Sequence, residues 1–114
     1  MAWLVHDGKV LATLERASTV RHRSRGLLGR DSFDGALLLE NTRSVHTMGM
    51  QFSIDVAFCD ADLTVLRIVT VPRHRVTRPE LRARCAIETE AGRFAHWNVA
   101  VGDQLEIRGE LDGD

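Results

Sequence analysis

Val45-His46-Thr47-Met48-Gly49-Met50 places an imidazole and two thioethers within five residues. Such groups suit a soft ion such as Cu(I), and His46, Met48 and Met50 would share one face of an extended chain. A transport or structural site wants at least three good ligands, however, and methionine is also the ordinary filler of irregular core gaps. No metal is therefore assigned here, and His46 is read as a polar residue beside a turn. Five residues after Met50 comes Asp55, inside the apolar alternation "FSIDVAFCD". A carboxylate on a half-buried strand must find donors or keep its proton, and Arg23, Arg30 or His46 can supply the donors. With Glu88 from "CAIETE", these residues define the expected site: a polar pocket lined by Arg23, Arg30, His46, Asp55 and Glu88. Arginines beside carboxylates suit a small polar or anionic molecule, such as a sugar derivative, a carboxylate or a peptide end.

Two other chemistries compete with ligand binding. Asp55 and His46 could serve as base and acid of a hydrolase or lyase. Against this, the chain shows no nucleophile elbow and no paired-carboxylate motif, and Thr47 and Cys59 are weak nucleophile candidates. Whether the protein is an enzyme stays open. The stretches "RHRSRGLLGR" and "RHRVTRPELRAR" together hold nine of the 14 arginines, and brought together they would form an electropositive face. No aromatic residue is interleaved to stack bases, Glu80 and Glu88 lie beside the second stretch, and the formal net charge is -1, so nucleic acid ranks last among the partners. "GLLG" lacks the strand–helix context of a phosphate loop, and no cofactor is implied.

The elements that must position these groups are mostly strands. "WLVHDGKVLATL" reads as a hairpin turning at Asp7-Gly8. "ASTVRHRSRGLLGR" reads as a short helix capped by Ser18 or Thr19, with a narrow stripe of Val20, Ser24, Leu27 and Leu28, ending near Gly29. "GALLLE" is a short buried strand, and "NTRSVHTMGM" has no period. "FSIDVAFCD" and "LTVLRIVTV" pair through Asp60-Ala61-Asp62, and Pro72 stops the second of them. That second run is β-branched and nearly continuous, which predicts a central strand covered on both faces. "RHRVTRPELRAR" is a loop because Pro79 and its charge density oppose a strand. "CAIETE" is a strand, "RFAHWNVA" makes one or two helical turns, and "QLEIRG" closes the sheet before the acidic tail "ELDGD". The expected fold is mainly β (α+β): one compact domain over residues 1–114, with six or seven short strands, partly barrel-like, and one or two short helices.

Composition agrees with that picture. The 114 residues are 44% hydrophobic and 27% charged, ordinary for a soluble globular domain. A chain of this size buries roughly two thirds of its unfolded surface and needs no metal or disulfide staple. Cys59 and Cys85 have no CxxC spacing and lie in apolar segments, as expected of reduced, buried thiols. No apolar run approaches the roughly 20 residues that span a bilayer, and His6, Asp7 and Lys9 come too early for a signal peptide. No membrane contact is expected, and the expected compartment is the cytoplasm. Lys9 is the only lysine, an excess of arginine that codon bias would also produce.

Four segments, in order, resemble a known family. Arg23-Ser24-Arg25-Gly26-Leu27 with Gly29-Arg30 is similar to its opening R-x-x-G-L segment. "HTMGMQFSIDVAFCD" resembles its central segment; Pro72 fits next; "IETEAG" followed by "VGDQLEI" resembles its closing L-E-x-x-A-G…G-D segment. On these residues the chain is identified as a member of the domain-of-unknown-function 192 family, with the resemblance covering about residues 10–109. It implies a compact, mostly β domain with a small helix after the first long strand, and no reaction, since the family has no established activity. Many relatives are exported or lipid-anchored; no leader is expected here, so export is not expected to carry over. Another branch carries a W-M-K-N-T…P-L-D-like segment in the place of "HTMGM…SID". Only Asp55 survives that swap, so a His–Met metal site would not be the family's general function. "DADL" also departs from the family by lacking the usual glycine of that hairpin.

Overall fold

Asp7 and Gly8 both adopt positive φ, 49° and 76°, as a two-residue turn between antiparallel strands requires. They join β1 (Ala2–His6) to β2 (Lys9–Ala17) in the expected hairpin. The structure, a computed structural model, describes residues 1–17, 30 and 32–111. The helix expected from Ser18 to Gly29 lies outside those residues, as does Arg23. The chain continues through β3 (Ala36–Glu40), β4 (Ile54–Cys59), β5 (Val65–Val71), β6 (Cys85–Glu90), α1 (Arg93–His96) and β7 (Glu106–Gly109).

The seven strands form one sheet in the order β5-β4-β6-β3-β2-β1-β7. β2 and β3 are its parallel pair, and every other neighbouring pair is antiparallel. A parallel pair needs a long crossover, and residues 18–35 provide it. The sheet is not closed, but its two ends meet at one corner. There the Val65 N–H donates to the Asp103 carbonyl (2.8 Å) and the Gly102 N–H to that of Val65 (2.8 Å). The fold is therefore mainly β and only partly barrel-like.

Curvature gives the sheet an inside and an outside, each with its own core. Inside lie Ala2, Leu4, Leu14, Leu38, Ala57, Val65, Ile87 and Leu105, and α1 plugs the space with Phe94, which meets Trp97 edge-on at 5.7 Å. Outside lie Ala17, Leu37, Leu39, Ile54, Val56, Phe58 and Ala86, covered by Phe33, Val45, Met50 and Ala83 from the connections. Sheet and connections thus form two apolar layers, so side chains of both parities along β3, β4 and β6 are buried.

β5 departs from expectation. It is an edge strand, not a central one, and its only partner from Arg67 to Val71 is β4. The apolar run still has a reason, because Val65 and Ile68 face the inner core while Leu66 and Val69 pack on the outer one. A loop rather than a second strand lies beside its far edge. Arg67 and Thr70 interrupt the run in the manner of edge strands, which carry polar side chains against unwanted pairing.

Candidate functional site

Asp55 is paired in register with Thr70 on β5 and Thr89 on β6, and it is 3% exposed on the inner face. Both carboxylate oxygens are occupied. Oδ1 accepts from the Thr70 hydroxyl at 2.7 Å, and Oδ2 accepts from the Gly92 N–H at 3.0 Å. Gly92 has φ of 90° and opens α1. The carboxylate therefore clamps the sharp turn that lets α1 drop Phe94 into the inner core. Thr89 makes a parallel clamp, its hydroxyl donating to the Gly35 carbonyl at 2.9 Å.

Glu88 lies on the opposite face. It pairs with Leu37 and Val56, both outer-core residues, and is 3% exposed. Burial pushes its carboxyl up to about 7, because a charge there would lose its water. Among the described residues, no side chain or backbone group donates a hydrogen bond to it. In the same cross-strand row Glu15 pairs with Leu37, and Arg30 binds Glu15 with both terminal nitrogens at 3.0 and 3.1 Å while lying 4.9 Å from the Phe33 ring centre. Arg30 and Glu88 thus share the outer face, with Leu37 between them. Asp55 is on the other side of the sheet, so the expected pocket is not assembled as one cavity.

The His46 segment answers a different need. Met50 is buried in the outer core while Met48 is 51% exposed, so the two thioethers point apart. Thr47 is the hub, fully buried. Its hydroxyl donates to the Pro72 carbonyl and accepts from the Arg75 N–H at 2.9 Å; its carbonyl accepts from the N–H groups of Met50 and His74, both at 3.0 Å. His46 is exposed, its Nδ1 accepts from the Met48 N–H at 3.2 Å, and it is bridged antiparallel to Val76. Thr47, weighed from sequence as a nucleophile, is the clasp that fixes the loop after β5. Neither Asp55 nor His46, the candidate base and acid, lines either of the clefts described next. No three His, Cys, Asp or Glu side chains among the described residues are grouped to hold a metal ion. Cys59 and Cys85 are free, buried, and directly opposed on β4 and β6; their shared hydrogen bond and burial push the Cys59 thiol far up.

The loop that Thr47 fixes forms the wall of a groove of about 380 Å³ along β5. Its floor is the successive β5 residues Arg67 to Val71, with Pro72, and its far wall is Arg75, Val76, Thr77 and Arg78. The groove contains three arginines and no acidic residue. The Arg67 guanidinium stacks 4.7 Å from the Phe58 ring centre and donates to the Arg78 carbonyl at 2.8 Å. Its Nε is buried and without a hydrogen-bond partner. Among the described residues, none of Arg67, Arg75 and Arg78 is ion-paired to a carboxylate. A second cleft, about 300 Å³, is lined by Asn41, Arg43, Ala83 and Arg84. From sequence, Arg75 and Arg78 belong to an arginine-rich stretch that could form an electropositive face, and Arg67 was given no role. The missed signal was a lone arginine inside a β-branched run, which marks a strand with one accessible edge.

The chain belongs to the domain-of-unknown-function 192 family (DUF192), described as an uncharacterised ACR, whose sequence pattern matches residues 2–107. No curated protein matches it. Among solved structures it is similar to a protein of Sinorhizobium meliloti proposed to be a transcription regulator, with TM-score 0.78 and 24% identity over 92% of this chain and 90% of that one. It is also similar to a protein of unknown function from Novosphingobium aromaticivorans, with TM-score 0.77 and 16% identity over 92% of this chain and 82% of that one. At these identities the likeness establishes the fold. No helix among the described residues is long and apolar enough to cross a membrane.

Proposed function

We propose that this member of the family is a binding module for a small anionic ligand, one presenting a carboxylate or a comparable planar oxyanion, held in the groove between β5 and residues 75–78. One observation carries the reading: Arg67, Arg75 and Arg78 converge on a single concave surface that contains no acidic side chain. Without carboxylate partners, these guanidinium groups keep charge and donors for a ligand beyond the single carbonyl bonds that Arg67 makes to Arg78 and Arg75 makes to His74. The mixed lining is also that of a ligand site, with Ile68, Val69, Val71 and Val76 beside the cations. His46, of the residues expected from sequence, borders this groove through its bridge to Val76. Arg30 and Glu88 lie on the same outer face as Arg67, which pairs with Phe58 of the outer core.

The test is a titration of the labelled protein with glutarate, followed by amide chemical shifts. Saturable shifts confined to residues 67–78 are expected, weakened at least tenfold by combining Arg75→Ala with Arg78→Ala. Absence of a saturable response, or an equal response in the double variant, overturns the assignment.

A further inference from the structure

Resting on that reading, we infer that the ligand class is an extended acidic peptide, which enters the groove as an added strand beside β5. The groove has a strand edge on each side. On one side β5 ladders only to β4 between Arg67 and Val71, so alternate N–H and C=O groups of the strand point away from the sheet, toward the groove. On the other side His46 and Val76 oppose each other in an antiparallel bridge. The flanking bonds run from Thr47 N–H to Arg75 C=O (2.8 Å) and from Thr77 N–H to Val45 C=O (2.9 Å). In that register the opposed residues do not bond each other, and the Val76 N–H and C=O face outward. Among the described residues neither group takes a backbone partner, and Val76 is 67% exposed while lining the groove. No backbone bond joins residues 66–71 to residues 75–78 directly; the Arg67 side chain makes the crossing, to the Arg78 carbonyl.

Length and charge fit the same occupant. Five steps of β-strand from Arg67 to Pro72 give a floor of roughly 17 Å, room for about five extended residues. Main-chain bonds to both edges would supply affinity in the manner of strand addition, and alternate side chains would supply specificity. Acidic side chains on the outer face of the peptide lie beside Arg67, and apolar ones on its inner face lie beside Ile68, while Arg75 and Arg78 add positive charge from the far wall. A small carboxylate would use the arginines and leave both backbone edges to water.

The experiment compares five probes by calorimetry and amide shifts. They are a blocked hexapeptide alternating valine and glutamate, its lysine-for-glutamate version, its versions N-methylated on each alternate set of amides, and glutarate. The glutamate peptide is expected to bind at least tenfold tighter than glutarate. One alternate set of N-methyl groups should remove at least tenfold of that affinity, and the lysine version should not bind. Val76→Pro, which deletes the outward N–H, should weaken the peptide at least tenfold more than it weakens glutarate. Glutarate and peptide binding equally, with N-methylation without effect, overturns the strand and leaves the anion site standing. Equal binding of the lysine version overturns the charge assignment. No response to either glutarate or peptide overturns both readings. A concentration-dependent dimer abolished by Val76→Pro would give the edge to a second copy of the chain and overturn the peptide.

Discussion

Replacing Glu88 by glutamine should make the protein progressively more stable than the parent as pH rises. Glu88 sits on the outer face between Leu37 and Val56, and burial lifts its carboxyl from 4.5 to about 7. Below about pH 4.5 the carboxyl is protonated in both folded and unfolded chains, and it costs nothing electrostatically. Between 4.5 and about 7 the unfolded chain has released the proton and the folded chain has not. Stability therefore falls with pH across that window, at about 1.4 kcal/mol per pH unit. Above the window both states are ionised, the slope from this group vanishes, and about 3 kcal/mol has been lost. Glutamine fills nearly the same space and cannot ionise. The difference between Glu88→Gln and parent should grow by about 3 kcal/mol from about pH 4.5 to about pH 8, whatever the constant offset from the amide. Urea unfolding of both proteins across that range measures it, and every other titrating group cancels in the comparison. Parallel stability curves would refute the reasoning, because they would mean that Glu88 ionises in the fold as easily as in water.

Thr47→Val keeps the shape of the clasp and removes its hydroxyl, leaving the Arg75 N–H and the Pro72 carbonyl without that partner. A loss of roughly 2–3 kcal/mol is expected in denaturant unfolding, together with weaker glutarate binding because the groove wall loosens; unchanged stability would remove Thr47 from the argument. Asp55→Asn turns one of two accepting oxygens into a donor facing either Thr70 or Gly92. It should cost about 1–3 kcal/mol and speed amide exchange in α1 ahead of the rest of the inner core; uniform exchange would deny the clamp.

Most of the fold was legible because its signals are local. Asp7-Gly8 requires φ values that few other pairs accept, and the turn after β4 is written in Asp60, whose Oδ1 accepts from the N–H groups of Asp62 and Thr64 at 2.9 and 3.0 Å. Strand order is not local. The same β-branched run satisfies a central strand or an edge strand lined on one side by a loop, and only the long-range placement of residues 72–78 separates them. Asp55 and Glu88 are kept apart for a related reason. Asp55 was read as a carboxylate on a half-buried strand and Glu88 as one on a strand, but the β4–β6 register pairs Asp55 with Thr89 and Glu88 with Val56, on opposite faces. A one-residue change in register would have united them, and single-sequence periodicity does not contain the register.

The three groove arginines admit one competing explanation, that they merely guard an exposed strand edge against pairing with other chains. A guard works by presenting a solvated charge along the edge. Arg75 and Arg78 are exposed and fit that role as well as they fit ligand binding. Arg67 does not. Its guanidinium is stacked on Phe58 and tethered to the Arg78 carbonyl, with Nε buried and unpaired. Desolvating a donor without a partner costs about 1–3 kcal/mol, a cost that a solvated guard would not incur. A guanidinium held in place over an aromatic ring brings a fixed positive charge to the groove. The edge that disagrees with the sequence expectation and the arginine that the sequence reading passed over are thus one feature. Arg67 interrupts the run that reads as a central strand, and it lines the groove along the far edge of β5.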